Sequence, residues 1–249
     1  MSYQPIIPRA RIGFIIPSSN RMVEPQMTRF MPPGVSPHFT RIGMTNRHKA
    51  PLEELLPRIT YAAELLADSK CDVIVLQCTG TSMSGGVDMD KRVVVEIEKA
   101  TKRPSLSTAS ALNEAFAALK AKRLVFISET KQDDHNKKVA YLREAGYDLV
   151  ADKAASLAGT DAYCTTPPQF WYDLAMSMRN DTADAYFLSC ANIHSIDVIE
   201  NLERDLGKPV VTSNQAAIWC SLRIAGIGDD IPALGALMRR DLVARAAAA

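Results

Sequence analysis

The chain reads as an α/β protein of two pseudo-symmetric lobes, each a parallel sheet flanked by helices, and three observations lead there. First, Asp72-Val73-Ile74-Val75-Leu76-Gln77-Cys78 and Asp184-Ala185-Tyr186-Phe187-Leu188-Ser189-Cys190 repeat one pattern at an offset of 112 positions. The same offset carries Arg11-Ile12-Gly13-Phe14-Ile15-Ile16 onto Arg123-Leu124-Val125-Phe126-Ile127-Ser128, so the duplication is gapless over two strand pairs. Second, short β-rich apolar runs alternate with stretches of helical period, the pattern of parallel sheets covered on both faces. Third, two helix-like segments run apolar on most sides, as helices packed between lobes do.

In chain order, strands are expected at 11–17, 37–43, 72–78 and 104–107, then at 122–128, 147–151, 184–190 and 209–212. Segments 51–70, 133–146, 168–180 and 194–206 carry apolar residues at three and four spacing and are expected to cover the sheets. Thr108 to Leu119 and Ser213 to Ile224 each follow a Pro-led strand and open on capping residues; these are the two all-round apolar helices. The duplication divides the chain into a first lobe of 1–109 with 214–249 and a second lobe of 110–213. No proline-rich or charged linker separates them, so the lobes should be tightly joined. The terminal ARAAAA favours helix but has little to bury; it is expected to fray and is given no role.

Bulk properties narrow the function classes. A chain of 249 residues buries a full core without disulfide staples. Its five cysteines match neither a zinc pattern nor a C-x-x-C motif, and a net charge of +1 offers no basic field for nucleic acid. No run approaches the ~18 apolar residues of a membrane span, and the opening segment is broken by proline and arginine. A reduced, cytoplasmic setting is expected, with neither nucleic acid nor membrane as partner. The histidines His38, His48 and His135 form no metal-ligand spacing with carboxylates, so no metal is expected.

The chemistry is expected at the strand ends. Ligands of open α/β sheets bind beyond the carboxyl ends of the strands, where Cys78 and Cys190 fall. A cysteine closing a core strand reads, on its own, as a small hydrophobe; matched placement in a duplicated unit favours a catalytic pair. After Cys78 comes the hydroxyl-rich turn Thr79-Gly80-Thr81-Ser82, able to aim donors at an anion or at a thiolate. After Cys190 come Ala191 and Asn192, at the start of a helix, with His194 in its first turn. Ser19-Asn20 and Ser213-Asn214 end strands at the same edge and read either as helix caps or as substrate contacts, the second pair leaning towards capping. Cys71, Cys164 and Cys220 have no repeat partner and are assigned to packing.

Four segments together, Pro17-Ser18-Ser19-Asn20, CTGTSMSGG from Cys78, SCAN at Cys190 and GKPVVTSNQAAIWCSLRIAG near the end, resemble the maleate cis-trans isomerase and arylmalonate decarboxylase group of the aspartate/glutamate racemase superfamily. The resemblance spans nearly the whole chain. It implies an aspartate/glutamate racemase-like fold and a cofactor-independent enzyme acting on a small carboxylic acid between the lobes. By this resemblance Asn20 binds a carboxylate, Cys78 is nucleophile or base, and Cys190 is the acid. Thr79, Gly80, Thr81, Ser82, Ala191, Asn192, Ser213 and Asn214 complete the site with Ser19. A two-cysteine isomerase of a maleate-like dicarboxylate, or a racemase, is the leading reading. A malonate decarboxylase using Cys190 as proton donor is the alternative, and a non-catalytic carboxylate binder a third. One departure stands out: aligning Asp133-Asp134-His135-Asn136 puts Lys131 where the group carries a carboxylate-binding tyrosine. Either Lys131 takes over that contact, or Thr130 supplies a hydroxyl and Lys131 points to solvent. Homo-oligomers are common in the group, but no interface is legible in the chain.

Overall fold

The protein is described by a computed structural model covering residues 7–243, which leaves the terminal ARAAAA outside the described residues. Two four-stranded parallel sheets follow one plan. In the first, β1 (Ala10–Pro17) lies between β2 (Val35–Ile42) and β3 (Val73–Leu76), with β4 (Ser105–Ser107) beyond β3. In the second, β5 (Arg123–Ser128) lies between β6 (Asp148–Ala154) and β7 (Ala185–Leu188), with β8 (Val210–Thr212) beyond β7. The register repeats as well: Ile12 sits opposite Val73, and Leu124 opposite Ala185, the same pair moved along by the duplication offset. Every residue of β3 and β7 is buried, as continuous apolar strands covered on both faces require.

The acidic residue of each repeat is structural. The Asp72 carboxylate accepts from the Arg11 backbone N–H at 2.7 Å, and Asp184 accepts from that of Arg123 at 2.8 Å. Each acid thus ties the entry of one central strand to the entry of the next. Asp184 gains the Arg123 guanidinium at 2.9 Å as well, and its carboxyl is held down at about 2 by that side chain and the backbone donors.

Covering the sheets are α1 (Val23–Phe30), α2 (Leu52–Asp68), α3 (Thr79–Met83), α4 (Gly86–Thr101), α5 (Thr108–Ala118), α6 (Gln132–Glu144), α7 (Thr160–Thr165), α8 (Pro168–Ser177), α9 (Ile199–Leu206) and α10 (Ser213–Ile224). The expected strands and helices are present with ends moved by a few residues. Three differences matter. First, α4 was not foreseen, because Val93-Val94-Val95 is a β-branched run; its buried positions Asp90, Val93 and Ile97 nonetheless keep helical spacing. Second, the segment expected as helix 194–206 opens as a 3-10 turn, Ser195–Val198, before α9 begins. Third, β3 and β7 end at Leu76 and Leu188, so each cysteine lies two residues beyond its strand rather than closing it.

The crossing helices hold the lobes together. α5 begins with a reciprocal cap between Ser107 and Ser110, α10 with one between Thr212 and Gln215. They pack on each other, and α10 also packs on α1 and β3 of the first lobe. From α5, Phe116 meets Tyr147 and Phe187 of the second lobe with ring centroids 5.0 and 5.6 Å apart. One continuous core runs through both sheets, from Phe14 and Val75 to Phe126, Phe187 and Trp219.

Candidate active site

Each sheet reverses direction beside its central strand: the chain goes from β1 out to β2 and returns to β3, and from β5 out to β6 and returns to β7. Crevices open at such switch points. The two face each other across a single cleft of about 650 Å³, lined by both Cys78 and Cys190.

Cys78 adopts an extended conformation (φ −155°, ψ 103°) as the residue that precedes and caps α3. Its Sγ lies 3.1 Å from Thr81 Oγ1. Burial pushes this thiol above an ordinary cysteine and the Glu129 charge adds a little, while the Thr81 hydroxyl, the Thr81 backbone N–H and the Lys138 charge offset only part of the rise. Cys190 sits at φ 119°, a left-handed conformation that costs a non-glycine residue about 1–3 kcal/mol. Its backbone N–H is held by Ser213 Oγ at 3.1 Å, and its Sγ accepts from the Asn192 N–H at 3.3 Å. Burial pushes Cys190 well above an ordinary thiol, the Glu129 carboxylate adds to the rise, and Lys138 opposes it. Both thiols are raised by burial, Cys190 further; Cys78 has a hydroxyl and a backbone N–H to offset the rise, whereas Cys190 has one backbone N–H and lies in hydrogen-bonding reach of Glu129.

On the same cleft is a pair that the sequence reading missed. Lys138 Nζ bonds Glu129 Oε2 at 2.7 Å, with both side chains almost wholly buried and both lining the cleft. Such pairs are costly to desolvate and gain most where their field acts on something else. Lys138 had a visible signal: it falls with His135, Val139 and Leu142 on the buried face of α6, where a charge is out of place. Glu129 follows directly on a buried strand. Tyr163 of α7 also lines the cleft, and burial with the nearby Glu129 charge pushes its phenol well up.

Of the sequence-selected residues, Ser19, Asn20, Thr79, Gly80, Thr81, Thr130, Ala191 and Asn192 line the cleft with the two cysteines. Asn20 also stitches the lobes. Its Oδ1 accepts from the Met22 and Val23 N–H groups at the start of α1, and its Nδ2 donates to Ala191 O at 3.0 Å, leaving one amide hydrogen uncommitted.

Four selected residues stand elsewhere. Ser82 is wholly buried and donates to Thr79 O, because α3 turns its side chain inward. Lys131 precedes α6 and is exposed, outside the cleft lining, so Thr130 rather than Lys131 meets the cavity. Ser213 and Asn214 lie behind the cleft wall. Ser213 accepts from Thr79 Oγ1 at 2.8 Å besides Cys190 N, and Asn214 joins Gln77, Gln26 and Ala191 O. They brace the two cysteine loops against each other, and the cap of α10 falls to Thr212 instead. His194 bonds Cys164 O at 2.9 Å, away from the cleft lining.

On the cleft lining Lys49 and Lys137 share Asp134 at 3.2 and 2.8 Å, and in the neighbouring hollow Arg21 pairs with Asp161. The lining thus combines charges of both signs with thiols, hydroxyls and amides around one buried ion pair.

Known proteins share this architecture. A maleate isomerase of Nocardia farcinica is 29% identical over 241 residues, 93% of this chain and 96% of the relative. The arylmalonate decarboxylase of Bordetella bronchiseptica is 24% identical over 221 residues, 87% of this chain and 91% of the relative. Among solved structures, a mutant of the Nocardia farcinica maleate cis-trans isomerase, with a covalently bound succinylcysteine intermediate, superimposes with a TM-score of 0.83 at 25% identity. That match covers 92% of this chain and 98% of the other. The family model for arylmalonate decarboxylase matches residues 12–238, and the chain belongs to that family.

Proposed function

We propose that the protein is a two-cysteine isomerase that converts a small maleate-like cis dicarboxylate into its trans form without a cofactor. The observation that carries this reading is the inequality of two thiols on one cleft: burial raises both, but Cys78 has the Thr81 hydroxyl and N–H to favour its thiolate, while Cys190 is raised further and faces Glu129. The Cys78 thiolate adds to one alkene carbon. A C–S bond forms, and the π pair moves to the neighbouring carbon, where the adjoining carboxylate delocalises it. Cys190 S–H delivers its proton there, forming C–H. Rotation about the new single bond, return of the proton to the Cys190 thiolate and cleavage of C–S then release the trans acid and regenerate Cys78. Asn20, Thr130, Asn192 and the backbone N–H groups that open α3 supply donors for carboxylate oxygens. Free thiols at all five cysteines suit a reducing compartment.

The rival reading is decarboxylation of a substituted malonate, which needs a proton donor at Cys190 only; the name of the matched family favours keeping it. Incubation in deuterated water with maleate, substituted malonates and amino diacids, followed by proton NMR, decides among them. Isomerisation that needs both cysteines supports the proposal. Carbon dioxide release that survives Cys78→Ala supports the rival, solvent exchange at a chiral carbon indicates racemisation, and binding unchanged in the double alanine variant indicates a non-catalytic carboxylate binder.

A further inference from the structure

Behind the cleft wall, four side chains form a hydrogen-bonded chain that ends at Thr130. Asp152 Oδ1 is 2.8 Å from His135 Nε2, His135 Nδ1 is 2.7 Å from Ser128 Oγ, and Ser128 Oγ is 3.2 Å from Thr130 Oγ1. His135 and Ser128 are wholly buried, and the imidazole stacks on Phe126 with centroids 4.9 Å apart, so ring and hydroxyl are held to these partners. Thr130 is the end on the cleft; Asp152, with its side chain 34% exposed, is the end towards solvent.

The donor inventory sets the direction of every bond. A carboxylate only accepts, so Nε2 carries a hydrogen whichever form the ring takes. In the neutral ring Nδ1 is a lone pair. Ser128 then donates to it and accepts in turn from Thr130, which presents only lone pairs to the cleft unless it gives up the bond to Ser128. A proton on Nδ1 reverses the chain: Nδ1–H donates to Ser128, Ser128 donates to Thr130, and the Thr130 hydroxyl donates into the cleft. An entering carboxylate, itself only an acceptor, is matched by this second arrangement.

We propose that His135 is a positioning residue that acts through Ser128 and Thr130, so that binding of a substrate carboxylate draws one proton onto its Nδ1. The inference rests on the dicarboxylate reading above. Other charges near the ring are already paired. On α6, Asp134 is held by Lys49 and Lys137, and Lys138 by Glu129 from the end of β5, leaving Asp152 of β6 as the charge in contact with the imidazole. The proton comes from solvent, a new N–H bond forms at Nδ1, and two hydroxyl hydrogens rotate; no other bond changes.

Calorimetric titration of the full chain with succinate, which has no double bond to isomerise, tests this in buffers of different ionisation enthalpy. The useful range is about pH 6 to pH 8, where imidazoles change charge. The expected result is net proton uptake of up to one per site. Thr130→Val and His135→Phe should each lose the uptake and weaken binding by about 3- to 10-fold, the usual worth of one hydrogen bond. Asp152→Asn should move the uptake to lower pH. Absence of uptake in the wild type, or the same uptake in Thr130→Val, overturns the proposal; the near-isosteric valine carries the test if His135→Phe fails to fold. If succinate does not bind, the dicarboxylate reading fails, and ring-nitrogen NMR still decides the chain. A neutral ring with its hydrogen on Nε2 supports the inference, and one with its hydrogen on Nδ1 overturns it.

Discussion

The loops after β3 and β7 start from the same seven-residue pattern, cross the same distance from the strand end and bring the same atom to the same cleft, yet they differ in almost everything that touches the sulfur. The Cys78 loop continues in extended backbone into α3, which turns the Thr81 hydroxyl and N–H onto the sulfur. The Cys190 loop takes a left-handed turn, offers the sulfur one backbone N–H and faces it with Glu129. Duplication therefore places the two thiols, and the residues that are not duplicated assign their roles. The position equivalent to Glu129 in the first half is Pro17, which brings no charge. Glu129 raises both thiols, but only Cys190 is also within its hydrogen-bonding reach, and the difference between the loops is largest there.

The largest effect should come from removing the sulfurs themselves. Cys78→Ala is expected to abolish isomerisation, because it removes the covalent step, and Cys190→Ala to slow it by about 10²- to 10⁴-fold, the usual worth of a placed acid. Steady-state rates on maleate check both. A result in which Cys78→Ala stays active would remove the division of labour between the loops.

Next in size is the ion pair. Glu129→Gln alone leaves Lys138 buried without a counter-charge, at a cost of about 3–5 kcal/mol in stability, whereas Glu129→Gln with Lys138→Met should recover most of the loss. Denaturant melts measure this. In Glu129→Gln the pH midpoint for alkylation of Cys190 should fall, because a negative charge that raises the thiol is gone; in Lys138→Met it should rise. The Cys78 midpoint should fall less, because Glu129 reaches that thiol through charge alone, and equal falls at Cys78 and Cys190 would argue against a stronger Glu129 effect on the second loop.

Ser213→Ala probes the brace shared by the loops. It strands the Cys190 N–H and the Thr79 hydroxyl in a buried site, for a loss of about 1–3 kcal/mol on thermal unfolding. The smallest effect compares the acidic residues of the repeat. Asp184 has a depressed carboxyl, so its contribution is complete above the ordinary aspartate range and disappears as pH falls towards about 2. Being partly solvated, it should cost only about 1 kcal/mol on Asp184→Asn near neutral pH. The gap between variant and wild type should close in acid, and Asp72→Asn, which loses no guanidinium partner, should cost less.

Much of this comparison is legible in the amino-acid order, because a duplication advertises its strands and the cysteines after them. The parts that are not legible depend on partners far along the chain. Ser213 and Asn214 look like site residues until α10 is seen crossing to the other lobe and carrying them behind the cysteines. Lys131 occupies the aligned tyrosine position, but the helix starts one residue later and leaves it in solvent. Lys138 could have been noticed as a charge on an apolar face, although nothing local identifies Glu129 as its partner. The omission of α4 has a local cause: three consecutive valines obscure a helical period that its buried residues keep.

In the proposed reaction Cys78 forms the bond to carbon while Cys190 handles the proton. Incubating Cys190→Ser with maleate, then digesting and mapping the protein by mass spectrometry, tests it most directly. The expected product is an adduct of one maleic acid on the Cys78 peptide and on no other cysteine peptide. Turnover of maleate with no adduct at Cys78, or an adduct confined to Cys71, Cys164 or Cys220, would contradict it.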